Sequence, residues 1–312
     1  MLCYRTGLGE MYNGDSLDLI DTLDDNSVDL VITSPPFALL KQKEYGNEDQ
    51  DKYIDWLCEF ANKLLPKLKD TGSFVIDLGA SYNKGEPTYS LYQFKTLIKL
   101  CDVVGYKLAQ PFYWHNTSAL PAPIEWVNKR KIRCKNSVNT IWWLSKTSNP
   151  KADVTKILTP YSDKMKKMFV KPDEFFKDGA VRPSGHTMNN SWLKDNGGAI
   201  PPNILMIPNS ESKSLYIRGC KFNNIKAHPA RFPIGIPEFF IKYLTDENDL
   251  VVDIFSGSNT TGEACEKLNR RWKCFELNLE YIASSSFRFA DSIEKTSDYY
   301  NKIINNIMVD FK

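Results

Sequence analysis

Two short stretches of the 312-residue chain carry residue types able to do chemistry at a suggestive spacing. The first is Asp253-Ile254-Phe255-Ser256-Gly257-Ser258-Asn259-Thr260-Thr261-Gly262, an apolar run that turns through small side chains. Small side chains let a ligand approach the backbone, and the free amides at a helix start attract its negative end. The dinucleotide fingerprint asks for Gly-x-Gly-x-x-Gly, and the expectation is that Ser occupies its first position here. Glu276, about twenty residues on, can accept hydrogen bonds from ribose hydroxyls. A nucleoside cofactor and an ordinary tight turn both remain open on these residues alone.

The second stretch is Thr33-Ser34-Pro35-Pro36-Phe37. Two prolines fix the backbone and remove two N–H donors, so the loop offers carbonyl oxygens. A hydroxyl (Ser34), a bare carbonyl (Pro35) and a ring (Phe37) suit the amino group of a planar base. Alone, it is also simply a turn.

Both stretches need strands to hold them. Val28-Asp29-Leu30-Val31-Ile32-Thr33 reads as a buried strand leading to the prolines. A helix follows from Tyr53 to Leu68, with Ile54, Leu57, Phe60, Ala61, Leu64 and Leu68 on one face. Thr71-Gly72 breaks the chain before a strand Ser73–Leu78, which carries Asp77. Further expectations are a helix over Tyr89–Val104 stopped by Gly105, and a strand over Val138–Leu144. Leu250–Phe255 should be a strand, followed by a helix Asn259–Leu268, a strand Trp272–Phe275 and a helix Leu279–Phe289. Strands alternating with helices argue for an α/β, doubly wound, mainly parallel sheet. Residues 146–227 break that rhythm: they are rich in Pro, Asn, Ser, Gly and Lys and read as a loop-rich insertion.

Composition bounds the rest. With 42% hydrophobic and 12% aromatic residues, and only 16 Gly and 17 Pro, the chain is neither disordered nor collagen-like. No run of about 18 uncharged apolar residues suggests a membrane span, and the first residues do not resemble a secretion signal. A cytoplasmic location is expected. Seven cysteines without a Cys-x-x-Cys pair, and three scattered histidines, offer no local metal scaffold. No metal is expected, and the thiols should be reduced. Forty basic residues against 38 acidic ones give a net charge of only +2, so an acidic partner must meet a local patch. Lys129-Arg130-Lys131-Ile132-Arg133-Cys134-Lys135 and Lys164-Met165-Lys166-Lys167 are such patches. Either is a phosphate-binding surface or a solvated basic face.

Taken together, Ser34-Pro35-Pro36-Phe37 near the N-terminus and the Asp253–Gly262 turn near the C-terminus resemble the beta-class, SAM-dependent DNA amino-methyltransferases of the N4-cytosine type. The family's catalytic tetrad reads Ser-Pro-Pro-Tyr/Phe, where most adenine enzymes carry Asp. The resemblance extends through Asn13–Ser16, Thr33–Leu39, Lys43–Asn47, Pro123–Lys131, the insertion and Lys226–Pro233, nearly the whole chain. It implies a circularly permuted, seven-stranded Rossmann-like fold, with residues 1–145 catalytic, 146–227 recognising the target and 228–312 binding SAM. It implies that Phe255, Gly257, Ser258, Asn259 and Thr260 wrap the methionine portion of S-adenosyl-L-methionine and Glu276 holds the ribose. Asp15 would accept from the adenine, with Thr33 nearby. Asp253 would stabilise the loop or face the cofactor's amino group, and Ala230–Pro233 would close the far side.

The implied activity is methyl transfer to N4 of a cytosine flipped out of duplex DNA, held by Ser34, Pro35, Pro36 and Phe37 and assisted by Asp77. Asp77 could instead cap a loop, and Trp114 could line the pocket or belong to the core. Lys129, Arg130, Lys131, Arg133, Arg182 and His186 are the expected DNA contacts. Asn189, Asn190, Ser191, Lys194 and Asn196 could join them in reading base edges, and Lys41–Asn47 could close on the DNA. A cognate restriction endonuclease acting on the same site is expected without direct contact. The alternatives are an adenine-N6 enzyme of the same class, a DNA-binding protein without catalysis, and a methyltransferase acting on RNA or protein.

Overall fold

Val28–Thr33 and Leu250–Asp253 are buried at every position, as central strands covered on both faces must be. They lie side by side in one ten-stranded sheet seen in a computed structural model, which describes residues 1–39, 50–175, 181, 183–185 and 194–311. The strands are β1 (Leu2–Arg5), β2 (Gly9–Asn13), β3 (Val28–Thr33), β4 (Leu68–Leu78), β5 (Lys107–His115), β6 (Val138–Ser145), β7 (Ile204–Met206), β8 (Leu250–Asp253), β9 (Arg271–Glu276) and β10 (Val309–Asp310). Their order is β10-β1-β2-β9-β8-β3-β4-β6-β5-β7. Seven contiguous strands, β2-β9-β8-β3-β4-β6-β5, run parallel except for β6. The other three are short additions at the two edges, so ten strands replace the expected seven without changing the class.

Residue alternation splits the core in two. Val31 and Val252 face the helices Gln50–Leu64 and Tyr92–Lys99, whereas Leu30, Ile32 and Val251 face Gly235–Leu244, Thr260–Lys267 and Leu279–Ser285. The helix expected over Tyr53–Leu68 begins at Gln50 and ends at Leu64. Pro66 cannot extend it, and Leu68 already pairs with Val28 in β4. Thr71-Gly72, expected as a break, lies within β4 at a register shift. A Cβ on Gly72 would come within 2.9 Å of two backbone oxygens, so the bulge needs glycine.

Residues form two compact units: Met1–Ala152 with Asn203–Lys312, and Asp153–Pro202. The second is narrower than the 146–227 segment read from composition, for three reasons. Lys151 pairs with Asp246 and Asp249, β7 adds to β5, and helix Leu215–Phe222 packs on Phe287. The unit itself holds a helix over Asp163–Val170, capped by Ser162, and a bridge between Thr159 and Ala199.

From β8 the chain crosses through Thr260–Lys267 to β9 on one side. From β3 it crosses through Gln50–Leu64 to β4 on the other. The boundary between β3 and β8 is thus a topological switch point, where the carboxyl ends of a doubly wound sheet open a crevice.

Candidate active site at the switch point

Both motif loops leave this boundary, and one side chain ties them together. Asp253, 3% exposed, accepts from Thr33 Oγ1 at 2.7 Å, from Thr261 Oγ1 at 2.6 Å and from Phe255 N at 3.1 Å. Burial pushes its carboxyl up, against the pull of these donors. Asp253 therefore ties the loop together, and it also lines the cavity above it, so both of its expected roles stay open. Thr33 is fully buried and does not line the cavity beside it, so it supports the site from behind.

The small-residue turn is shaped by two left-handed positions, Gly257 (φ +51°) and Asn259 (φ +52°). The glycine fingerprint is therefore present as Gly257-x-Asn259-x-x-Gly262, and the departure lies at Asn259 rather than at Ser256. Asn259 is fully buried: its carbonyl accepts from Gly262 N at 2.9 Å, capping the helix, and its amide donates to Tyr4 Oη at 2.8 Å. It does not line the cavity; its side chain holds the turn from behind. Gly257 N donates to Glu276 Oε2, and Asn278 N to Oε1, both at 2.9 Å. Burial pushes the Glu276 carboxyl up. A Cβ on Gly257 would lie 3.3 Å from the His228 ring, so this segment is closely packed.

A cavity of about 330 Å³ opens above the turn. Of the residues proposed for the cofactor, Asp15, Asp253, Glu276, Phe255, Gly257, Ser258 and Thr260 line it, together with Ser256, Trp56, Phe60, His228, Ala230 and Phe232. Its carboxylates can accept from hydroxyl or amino groups. Asp15 Oδ1 also accepts from Leu17 N at 2.9 Å. The Phe255 ring packs 5.4 Å from Trp56 and 5.0 Å from Phe60, giving an apolar wall.

Beyond Ser34 lies a second chamber of about 280 Å³, lined by Ser34, Phe37, Asp77, Trp114, Asn136, Asn139 and Arg231 among others. Ser34, Phe37, Ala230 and Phe232 border both spaces, and Pro35 and Pro36 border the first. Ser34 Oγ donates to Asp77 Oδ2 at 3.1 Å. Asp77 is 2% exposed, and burial pushes its carboxyl up to about 7, against hydrogen bonds from Ser34 and Asn139. The Phe37 ring rests on Gly79, where a Cβ would sit 2.3 Å from it. Trp114 satisfies both expectations: it packs in the core, 5% exposed, with Nε1 bonded to Ile207 O at 2.8 Å, and it edges the chamber. A hydroxyl shared by two spaces, backed by a carboxyl near neutrality, can pass a proton while a group moves between them.

Sequence reading missed several residues here. Arg288, with its side chain 1% exposed, donates to Ser258 O at 2.6 Å and Ser258 Oγ at 3.1 Å. It is paired with Glu211 at 2.8 Å and with Glu263. Nothing local marks it; its partners lie 25 to 77 residues away. Asn139 could have been found as a polar residue on an apolar strand.

Of the expected surface contacts, Lys129, Arg130 and Lys131 are exposed, with Lys129 paired to Glu125 and Arg130 over the Trp126 ring. Arg133 is turned inward, stacked over Tyr82 and Tyr89 and donating to Pro87 O. Lys164, Lys166, Lys167, Lys194 and Asn196 are exposed. Arg182, His186, Asn189, Asn190, Ser191 and Lys41–Asn47 lie outside the described residues.

The chain is similar to known proteins in sequence and in fold. The profile of the DNA methylase family (N6_N4_Mtase) matches residues 28–287. Type II methyltransferase M.PvuII of Proteus hauseri is 56% identical over 310 residues, spanning 98% of this chain and 92% of its own. Among solved structures, PvuII DNA methyltransferase (cytosine-N4-specific) aligns with a TM-score of 0.81 and 49% identity, over 98% of this chain and 96% of that one. The M1.HpyAVI–SAM complex shares the fold, with a TM-score of 0.53 and 20% identity over 90% and 98% of the two chains.

Proposed function

The chain belongs to the DNA methylase family, and from that premise we propose that it transfers a methyl group from S-adenosyl-L-methionine to N4 of cytosine in duplex DNA. The observation that carries the chemistry is Ser34: it borders both spaces and is hydrogen-bonded to Asp77. The first cavity fits the cofactor. Glu276 and Asp15 offer acceptors for ribose hydroxyls and the adenine amino group, and Phe255 with Gly257 to Thr260 bounds the rest. Bound there, the cofactor supplies an electrophilic methyl group.

The chain's own residues prepare the nucleophile. A cytosine N4 is weakly nucleophilic because its lone pair is delocalised into the ring. Ser34 Oγ and the Pro35 carbonyl accept the N4 hydrogens, favouring a pyramidal nitrogen with its lone pair directed at the first cavity. Phe37, braced by Gly79, gives the base a stacking face in place of its neighbours in the duplex. Ser34 passes a proton to Asp77, whose carboxylate also offsets the positive charge developing at N4.

DNA is met by Lys129, Arg130 and Lys131, with the Asp153–Pro202 unit reading the target sequence. Arg133 supports this surface through its tyrosines. Arg182 and His186 are proposed base-edge or phosphate contacts from sequence alone. A partner restriction endonuclease, acting on the same site without touching this chain, fits the type II relative. Among the described residues no helix is long and apolar enough to cross a membrane, and a cytoplasmic location fits a DNA substrate.

The test is incubation of the protein with duplex DNA and SAM carrying a labelled methyl group, followed by digestion to nucleosides. N4-methylcytosine is the expected product. N6-methyladenine would overturn the choice of base, no product would leave a binding protein, and label confined to RNA or protein would overturn the substrate.

A further inference from the structure

Asp77 uses its two carboxylate oxygens unequally. Oδ2 accepts from Ser34 Oγ at 3.1 Å and from Asn139 Nδ2 at 3.5 Å. Oδ1 is buried and has no hydrogen-bond partner among the described residues. Asn139 comes from β6, the antiparallel neighbour of β4, in which Ile141 stands opposite Asp77. It lines the second chamber together with Ser34 and Phe37. Among the described residues, two neutral donors, both on one oxygen, are thus all that face this buried carboxyl from the loop and from β6. Tyr53 and Tyr92 approach from the helices on that face as phenols, and each is pushed up by burial. Arg231 lines the same chamber, but it pairs with Glu211 at 3.4 Å and donates to His228 O. Asp77 therefore has no cation to keep it charged among the described residues.

We propose that Asn139 is a positioning residue for methyl transfer: its amide N–H holds the Oδ2 side of Asp77 as a carboxylate, ready to receive the Ser34 proton. This rests on the reading of Ser34 and Asp77 given above. As the amino nitrogen gives one proton to Ser34 Oγ, the Ser34 hydroxyl gives its own to Asp77 Oδ2, and the carboxyl ends neutral. The step requires that Oδ2 begin unprotonated. Burial opposes that state, and a donated hydrogen bond favours it.

The experiment is a pH–rate profile on duplex DNA at saturating SAM for the wild type, Asn139→Ala and Asn139→Ser. Removing the donor should move the acid limb up by about one pH unit, which lowers the ionised fraction at pH 7 about five-fold. The rate should recover at pH 9, with the KM for SAM unchanged, and Asn139→Ser should lie between the other two. A rate that falls equally at every pH, or a profile that overlays the wild type, would overturn the proposal. Independently of turnover, NMR of 13C-carboxyl-labelled aspartate, assigned with Asp77→Asn, reads the Asp77 midpoint in the folded proteins. The same upward shift is expected, and an unmoved midpoint sinks the idea. If the wild type makes no methylated cytosine, the functional reading fails while this titration still decides the role of Asn139.

Discussion

Thr33 and Asp253, 220 residues apart in sequence, share a buried 2.7 Å hydrogen bond at the adjacent ends of β3 and β8. That bond joins the two loops on which the proposed reaction depends. Thr33→Val keeps the shape and removes the donor, leaving an acceptor less satisfied at a fully buried position. A loss of about 1–3 kcal/mol in denaturant unfolding is expected, together with weaker SAM binding by calorimetry. Unchanged SAM affinity would show that the loops hold their places independently.

Asp77 should set catalysis against stability. Its carboxyl titrates near 7 when folded and near 3.9 when unfolded. The protonated form is thus the one that folding favours. Its contribution is complete below about pH 4 and is lost as pH rises through 7. Asp77→Asn removes the charge, so at pH 8 it should stabilise the protein by roughly 2–4 kcal/mol relative to the wild type while sharply lowering methyl transfer. SAM affinity should change little. A variant both active and no more stable at pH 8 would contradict the buried-carboxyl account.

His228 should behave in the opposite sense. Burial holds its imidazole down at about 4, below the usual 6.5. The neutral ring is favoured in the fold, so its contribution is present above pH 6.5 and is lost as pH falls through 4. The stability difference between wild type and His228→Phe should therefore shrink between pH 7.5 and pH 4.5, by roughly 2–3 kcal/mol. Parallel stability curves for the two proteins would refute it.

Arg288 braces Ser258 from beneath while neutralising Glu211 and Glu263. Arg288→Met leaves Glu211 with Arg231 alone and Glu263 with Lys267 alone, and removes both donors to the turn. About 3–5 kcal/mol of stability should be lost, as when one partner of a buried pair is deleted. At temperatures where the variant stays folded, SAM binding should weaken more than DNA binding does. Equal weakening of both would show that Arg288 supports the fold alone.

Gly79→Ala tests the ring that the base stacks on. A methyl group there would collide with Phe37, 2.3 Å from the would-be Cβ. Displacement of Phe37 should raise the KM for DNA and lower kcat, with a smaller effect on SAM affinity because the ring also borders the first cavity. Wild-type kinetics would mean that Phe37 moves without consequence.

The chemistry-bearing loops were legible because their residue types are constrained locally: prolines set a backbone, glycine and asparagine permit a left-handed turn, and apolar runs mark central strands. Pairing was less legible. β1, β7 and β10 are two to four residues long, too short to show a period, and went unread. β2 and β5 also went unread, β5 because its Lys107–His115 run carries Pro111 and mixes exposed and buried positions without alternating. The buried roles of Thr33 and Asn259 depend on partners far along the chain, and so did the inward turn of Arg133. Its basic run looks uniform in sequence, yet only Tyr82 and Tyr89 decide which member faces solvent.

Because β8 sits between β3 and β9, the sheet's middle is supplied late in synthesis. A nascent chain on the ribosome already displays its prolines and β3, but one edge of β3 stays bare until the last third emerges. That open edge is the place where a stalled or truncated product would meet chaperones or stick to its siblings, and the enzyme cannot engage its methyl donor before the gap is filled.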